Sequence, residues 1–358
     1  MLVSSHLSEV PTVRRLMNIW ADRYLPNFAS LSISTNPSMR DELRRAASHE
    51  GRTQMIAQFN PPLIEEKCHL AVIRTKDLYD HLPENLEFME ALRLSQFASR
   101  VYLKLFEVYQ ESATTTTSAP ELTSTPELWD RYGGSSLAAW KIPKIDRLAD
   151  TLEPLLLQFQ EQHMIAKNWR MLGFITTQIS LSNALLYEHL TSVEQVLIAP
   201  YFNFLEEQVA LPWQRICAAA AGHHSDSPSF RLVEQMMPLA SEISQTVFHR
   251  LHTSFPHHQS RRGHLDHPGV RHSCLRDLSM FQAYLWLCVL QGSLKVVEQE
   301  LIALCVMVLE CVGVSWEMTA QANELLMNEI LHRLAPQEQD LIRPYTASMI
   351  RAFCQQDE

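Results

Sequence analysis

Cys274 and Asp277 stand three residues apart, with Arg276 between them and Arg271 just upstream. On a helix that spacing puts a thiol and a carboxylate on one face, where both can meet the same ligand. A carboxylate in that position accepts charge-assisted hydrogen bonds from ligand N–H groups, each on the order of 1.5–3 kcal/mol. Guanidinium forks match carboxylate geometry, and the Arg-rich stretch 261–276 supplies several. Against this stands the commoner fate of a free cysteine, a small buried hydrophobe, and of a helical acid, a surface partner for Arg. Two Glu-x-x-His pairs, Glu66/His69 and Glu329/His332, have the spacing that di-iron bundles use. They fall on opposite sides of a low-complexity segment, and surface Glu and His at chance spacing is the expected reading. His163 and His189 are placed to serve as a haem ligand, away from the Cys274 turn. No nucleophile elbow is present, and no metal site or catalytic set is expected.

A helix must carry the Cys274 turn, and the composition supplies one. Nine glycines in 358 residues compare with roughly 25 at average usage, and none has the spacing of a dinucleotide fingerprint or a P-loop. Fourteen Met and a Leu-dominated apolar set point to an all-α chain. Before residue 112 the pattern predicts a helix over 13–25, a short strand over 69–74 (HLAVIR) and a helix from Glu84, behind Pro83, to Tyr109. Residues 112–128, SATTTTSAPELTSTPEL, read as a linker. It divides a mainly helical N-terminal region, 1–111, from a larger domain, 129–358. That domain reads as helices over 144–167, 169–190, 193–219, 228–254, 274–291, 294–311, 316–334 and 337–353, with one longer loop at 255–272. Seven of the sixteen histidines and four arginines lie between His249 and His272, against the single acid Asp266. A solvated surface loop, a pocket rim and a docking site for an acidic partner are all open to it.

A net charge of −10 weighs against nucleic acid as partner. Seven cysteines, odd in number and without a CxxC pair, suit free thiols in a reducing compartment. The opening MLVSSHLSEVPTVRR has no basic stretch before an apolar core, so no secretory signal is expected. The greasiest stretch, Leu301–Val314, is interrupted at Glu310 and too short to span a bilayer. A cytoplasmic protein is expected.

The run Arg271-His-Ser-Cys274-Leu-Arg276-Asp277, followed by Gly292 and by an apolar helix ending near Gly313, resembles the phycobiliprotein subunits of the phycobilisome family, allophycocyanin among them. Thr246-Val-Phe-His-Arg-Leu-His-Thr-Ser-Phe-Pro256 is similar to that family's Val-Tyr-x-x-Phe-Pro segment, and Pro344-Tyr345 to its closing Pro-Tyr-Phe. The likeness is strongest over 190–358. It implies a globin-like C-terminal domain, a photosynthetic, cyanobacterial setting and a linear tetrapyrrole (bilin) as cofactor, covalent through Cys274. Asp277 would face the pyrrole nitrogens, Arg276 would pair a propionate with Arg271 assisting, and Phe281 and Trp316 would restrict the chromophore's torsions.

The sequence also departs from that family. Met280-Phe281-Gln282-Ala283 stand where light-harvesting subunits carry Tyr-Tyr-Leu-Arg, which removes a tyrosine and an arginine used to join subunits, and antenna subunits lack the long N-terminal region. Two functions follow. One is a divergent, non-enzymatic bilin-binding protein in bilin handling, sensing or phycobilisome function. The other is a bilin-less regulator or adaptor that binds phycobilisome components or bilin-pathway enzymes. Either would be cytoplasmic, associated with the thylakoid surface through phycobilisomes, and able to form a homodimer.

Overall fold

The computed structural model describes residues 9–24, 26–28, 31, 37–80, 86–111, 145–166 and 168–354. The linker expected over 112–128, and the Pro83–Glu84 start expected for the long N-terminal helix, lie outside these residues. The described chain is all-α apart from one small hairpin, as the composition implies.

Among the described residues before position 112 the α-helices are α1 (Pro11–Ala21), α2 (Pro37–Ala47), α3 (His49–Gln58), α4 (Pro61–Leu78) and α5 (Phe88–Glu111). The strand expected over 69–74 is instead the second half of α4. Asn60 caps that helix by accepting from Leu63 N, and Pro61 and Pro62 occupy its first turn, where a missing N–H costs nothing. Ile64, Cys68, Ala71, Val72 and Thr75 then repeat at helical spacing on the buried side. The local Val-Ile pair suggested a strand, yet the adjacent Ala71 and Val72 are both buried along with Cys68 and Thr75, which steps of three and four allow and a period of 2 does not.

Downstream come α6 (Ile145–Ile165), α7 (Trp169–Tyr187), α8 (Ser192–Ala210), α9 (Trp213–Ala220), α10 (Pro228–Met236) and α11 (Ala240–Ser254). Two of the expected long helices are broken. The helix expected over 193–219 divides at Leu211, which precedes Pro212 and is held extended (φ −107°, ψ 144°). The one expected over 228–254 tightens into a 3₁₀ turn, Met237–Leu239, around Pro238. Then follow the hairpin strands β1 (Gln259–Ser260) and β2 (Gly263–His264), and α12 (Pro268–Gln291). Pro268 at the first turn starts α12 earlier than the expected residue 274, so Cys274 sits in its second turn. A π-turn, Val297–Leu301, occupies the first part of the helix expected over 294–311 and leads into α13 (Ile302–Val312). The chain ends in α14 (Trp316–His332) and α15 (Pro336–Cys354).

Helix α12 is the axis of the C-terminal half. Every residue from Leu278 to Leu290 is buried, the mark of a helix covered on all sides. It packs against α8, α9, α10, α11, α14 and α15, while α13 lies against α7. One apolar core takes residues from before position 112 and from after position 144, from Val13 to Phe353. At its N-terminal edge Trp20 stacks on Trp213 at 4.2 Å, and Thr12 Oγ1 donates to Ala220 O at 2.8 Å. No helix among the described residues is long and apolar enough to cross a membrane.

Candidate functional site

One turn of α12 presents Cys274 and Asp277 to the same cavity, of about 110 Å³. The hairpin forms part of its rim through His258, Ser260 and Arg262, and its far wall holds Tyr79, from the end of α4. The His/Arg-rich loop is thus an ordered pocket rim. Ser260 Oγ donates to Gly263 O at 2.9 Å, Gly263 takes φ +124°, and Arg261 N donates to Val312 O at 3.0 Å, hanging the loop on the end of α13. His258 Nε2 is buried without a hydrogen-bond partner, beside the cavity that its residue helps to line. Burial also holds the His258 imidazole below its usual pKa, which favours the neutral ring.

Burial pushes the Cys274 thiol up to about 12, and the Asp277 charge adds to the effect. At neutral pH the sulfur is therefore an S–H rather than a thiolate. Asp277 is not free either. Arg276 donates to Asp277 Oδ1 from Nε (3.1 Å) and Nη2 (2.8 Å), and from Nη1 to Glu206 Oε1 at 3.4 Å. Burial opposes the guanidinium charge, yet Asp277 and then Glu206 more than offset it, and its pKa is raised. His272 Nε2 lies 3.0 Å from Glu206 Oε1. Burial alone would raise the Glu206 carboxyl, but the His272 hydrogen bond and charge, with Arg276, pull it down to about 2.

The structure places the remaining sequence candidates unevenly. Phe281 is buried on the wall that this cavity shares with a larger one of about 370 Å³. Behind it Phe353 lies at 5.1 Å and stacks on Trp316 at 5.5 Å. Arg271 points elsewhere: it is exposed and sits over the Phe248 ring at 5.7 Å. Tyr79 carried no mark in the sequence, being one residue past a surface helix. It is fully buried, with its hydroxyl 2.9 Å from Thr177 Oγ1. Arg262 belonged to the noticed Arg-rich stretch but had no assigned role; burial lowers its pKa.

The competing constellations do not assemble. Glu66 and His69 are both exposed on α4. Glu329 is buried and paired with Arg250 (2.9 Å) and Arg333 (2.9 Å), while His332 faces solvent. His163 packs on Phe159 and His189 is exposed. Among the described residues no group of three His, Cys, Asp or Glu could hold a metal ion.

A family model described as "Phycobilisome protein" matches residues 215–353, from within α9 to the last turn of α15. Comparison with curated proteins and with solved structures finds no match. The matched span contains Cys274, Arg276, Asp277 and Phe281 and leaves α1 to α8 outside it. It is narrower than the 190–358 expected from the motifs.

Proposed function

We propose, from the premise that residues 215–353 are an all-α, globin-like phycobilisome protein domain, that this chain is a non-enzymatic protein holding a linear tetrapyrrole at the Cys274 turn. The observation that carries the reading is that Cys274 and Asp277 line one cavity together with Arg262 and His258. This donor set fits the group: a thiol for attachment, a carboxylate for pyrrole N–H groups, and cationic and imidazole donors for carboxylates and ring carbonyls. When bound, such a pigment supplies absorption of visible light. Arg276, tied to Asp277 and Glu206, holds the carboxylate in place rather than a propionate, and Arg262 takes the propionate role. Phe281 closes the inner wall.

Volume sets the condition. About 110 Å³ is below the roughly 300 Å³ at which ligand pockets usually begin, so a tetrapyrrole needs Tyr79 or the shared wall to move aside. The same small volume, and an Asp277 already satisfied by Arg276, favour the second reading: a pigment-free regulator or adaptor with the family's shell. In both readings the partners are phycobilisome or bilin-pathway proteins, at the cytoplasmic face of the thylakoid.

Co-expression with a bilin-producing pathway tests the two. A pigment that survives denaturation, fluoresces with zinc and adds its mass to the Cys274 peptide supports covalent binding. Colour lost on denaturation supports reversible binding, and a colourless protein overturns the pigment reading in favour of the adaptor.

A further inference from the structure

The larger cavity, of about 370 Å³, has a size typical of small-molecule pockets and is not a property of the matched domain alone. Leu157 and Met164 of α6, Leu172 of α7 and Val209 of α8 form one side, all before residue 215. Met280 and Leu304, from α12 and α13, belong to the other side. The apolar walls therefore come from both parts of the chain.

Its polar residues include one preorganised group. Arg215 Nη1 donates to both oxygens of Glu300, at 2.8 and 2.6 Å, and Tyr284 donates its phenol to Glu300 Oε1 at 2.5 Å. Glu300 itself sits in the π-turn, an irregularity that recurs at functional sites. Three donor bonds offset the Glu300 charge, and one Arg215 nitrogen makes both of the arginine's bonds to it. Arg215 Nε and Nη2 find no partner among the described residues, and the side chain is 30% exposed. Arg215 lines this chamber and, though paired with Glu300, has two donors beyond those bonds, which together with the apolar walls match a polar acidic head on an apolar tail.

We propose that this chamber binds an elongated apolar carboxylate, with its chain between α6, α7 and α13 and its carboxylate on Arg215 Nε and Nη2. The site is independent of pigment at Cys274.

The test titrates the full-length protein with 11-(dansylamino)undecanoic acid by fluorescence and displaces the probe with unlabelled C8–C18 fatty acids. Saturable 1:1 binding, at least tenfold tighter for palmitate than for methyl palmitate, is expected. Ala218→Trp, at an exposed position on the cavity lining, should reduce binding at least tenfold while the circular dichroism spectrum is unchanged. Arg215→Lys should weaken the acid and leave the ester unaffected. Cys274→Ser should bind the probe as the parent does, so that failure of the pigment reading leaves this result intact. Equal binding of acid and ester overturns the head-group assignment. Binding insensitive to both Ala218→Trp and Leu304→Trp, or no saturable binding, overturns the site.

Discussion

Arg276 gives two N–H donors to a single oxygen of its chain neighbour, Asp277 Oδ1, and reaches across to Glu206 with a third. The carboxylate best placed for a ligand is thus anchored by a cation that is anchored in turn by a helix seventy residues away. Removing Arg276 leaves two carboxylates and His272 around a buried gap. Arg276→Met is expected to destabilise the fold by about 3–5 kcal/mol, read from the urea midpoint at constant m. Arg276→Lys should recover only part of the loss, since a point charge cannot serve both acceptors.

Glu206 and His272 make stability depend on pH in opposite directions. The Glu206 carboxyl is depressed from 4.5 to about 2, so the unfolded chain takes up its proton first and stability falls as pH drops through that window. At about 1.4 kcal/mol per unit the linkage is at most about 3–4 kcal/mol. The His272 imidazole is raised above 6.5 by its hydrogen bond to Glu206; its contribution is complete below 6.5 and is lost as pH rises through the folded value. Denaturant titrations from pH 2 to 9 should show both slopes, and Glu206→Gln should flatten both.

Cys274 should be a slow nucleophile. With its thiol near 12, alkylation by iodoacetamide at pH 7.5 is expected to lag far behind the exposed Cys354. The rate should rise about tenfold per pH unit as the thiolate fraction grows. Rapid labelling of Cys274 at pH 7.5, located by peptide mass, would contradict the buried S–H.

Tyr79 separates the two functional readings. Tyr79→Ala removes a buried aromatic ring and should cost about 3–5 kcal/mol, while enlarging the Cys274 cavity. On the pigment reading, bilin uptake per folded molecule rises in this variant. Unchanged uptake would show that the ring does not limit entry.

Gly173 lets α7 and α13 approach. A Cβ there would lie 2.8 Å from Val308 Cγ2 and 3.0 Å from Met307 Cε. Gly173→Ala gains helix propensity of about 0.5–1 kcal/mol but overpacks, and a net loss of about 1–2 kcal/mol in thermal or urea melts is expected. Val308→Ala in the same chain should return most of it.

Much of this could be read before any coordinates. The Cys274–Asp277 spacing alone placed sulfur and carboxylate on one face, and both do line one cavity. The breaks in the long helices were harder, because Pro212 and Pro238 end helices while Pro154, Pro200 and Pro344 sit inside them; neighbours decide, not the residue. The Arg276–Glu206 pair was not legible, because pairing across seventy residues leaves no trace in local spacing. Tyr79 was invisible for the same reason. The strand expected over 69–74 came from weighing β-branched residues above the capping and burial pattern that make α4 a helix.

Val312 carries a double duty through its carbonyl. It ends α13, whose side chains Val308 and Leu309 front both chambers, and it suspends the hairpin that frames the smaller one. One helix thus serves as the party wall of both chambers, and its last carbonyl is the peg from which the hairpin beside the smaller one hangs.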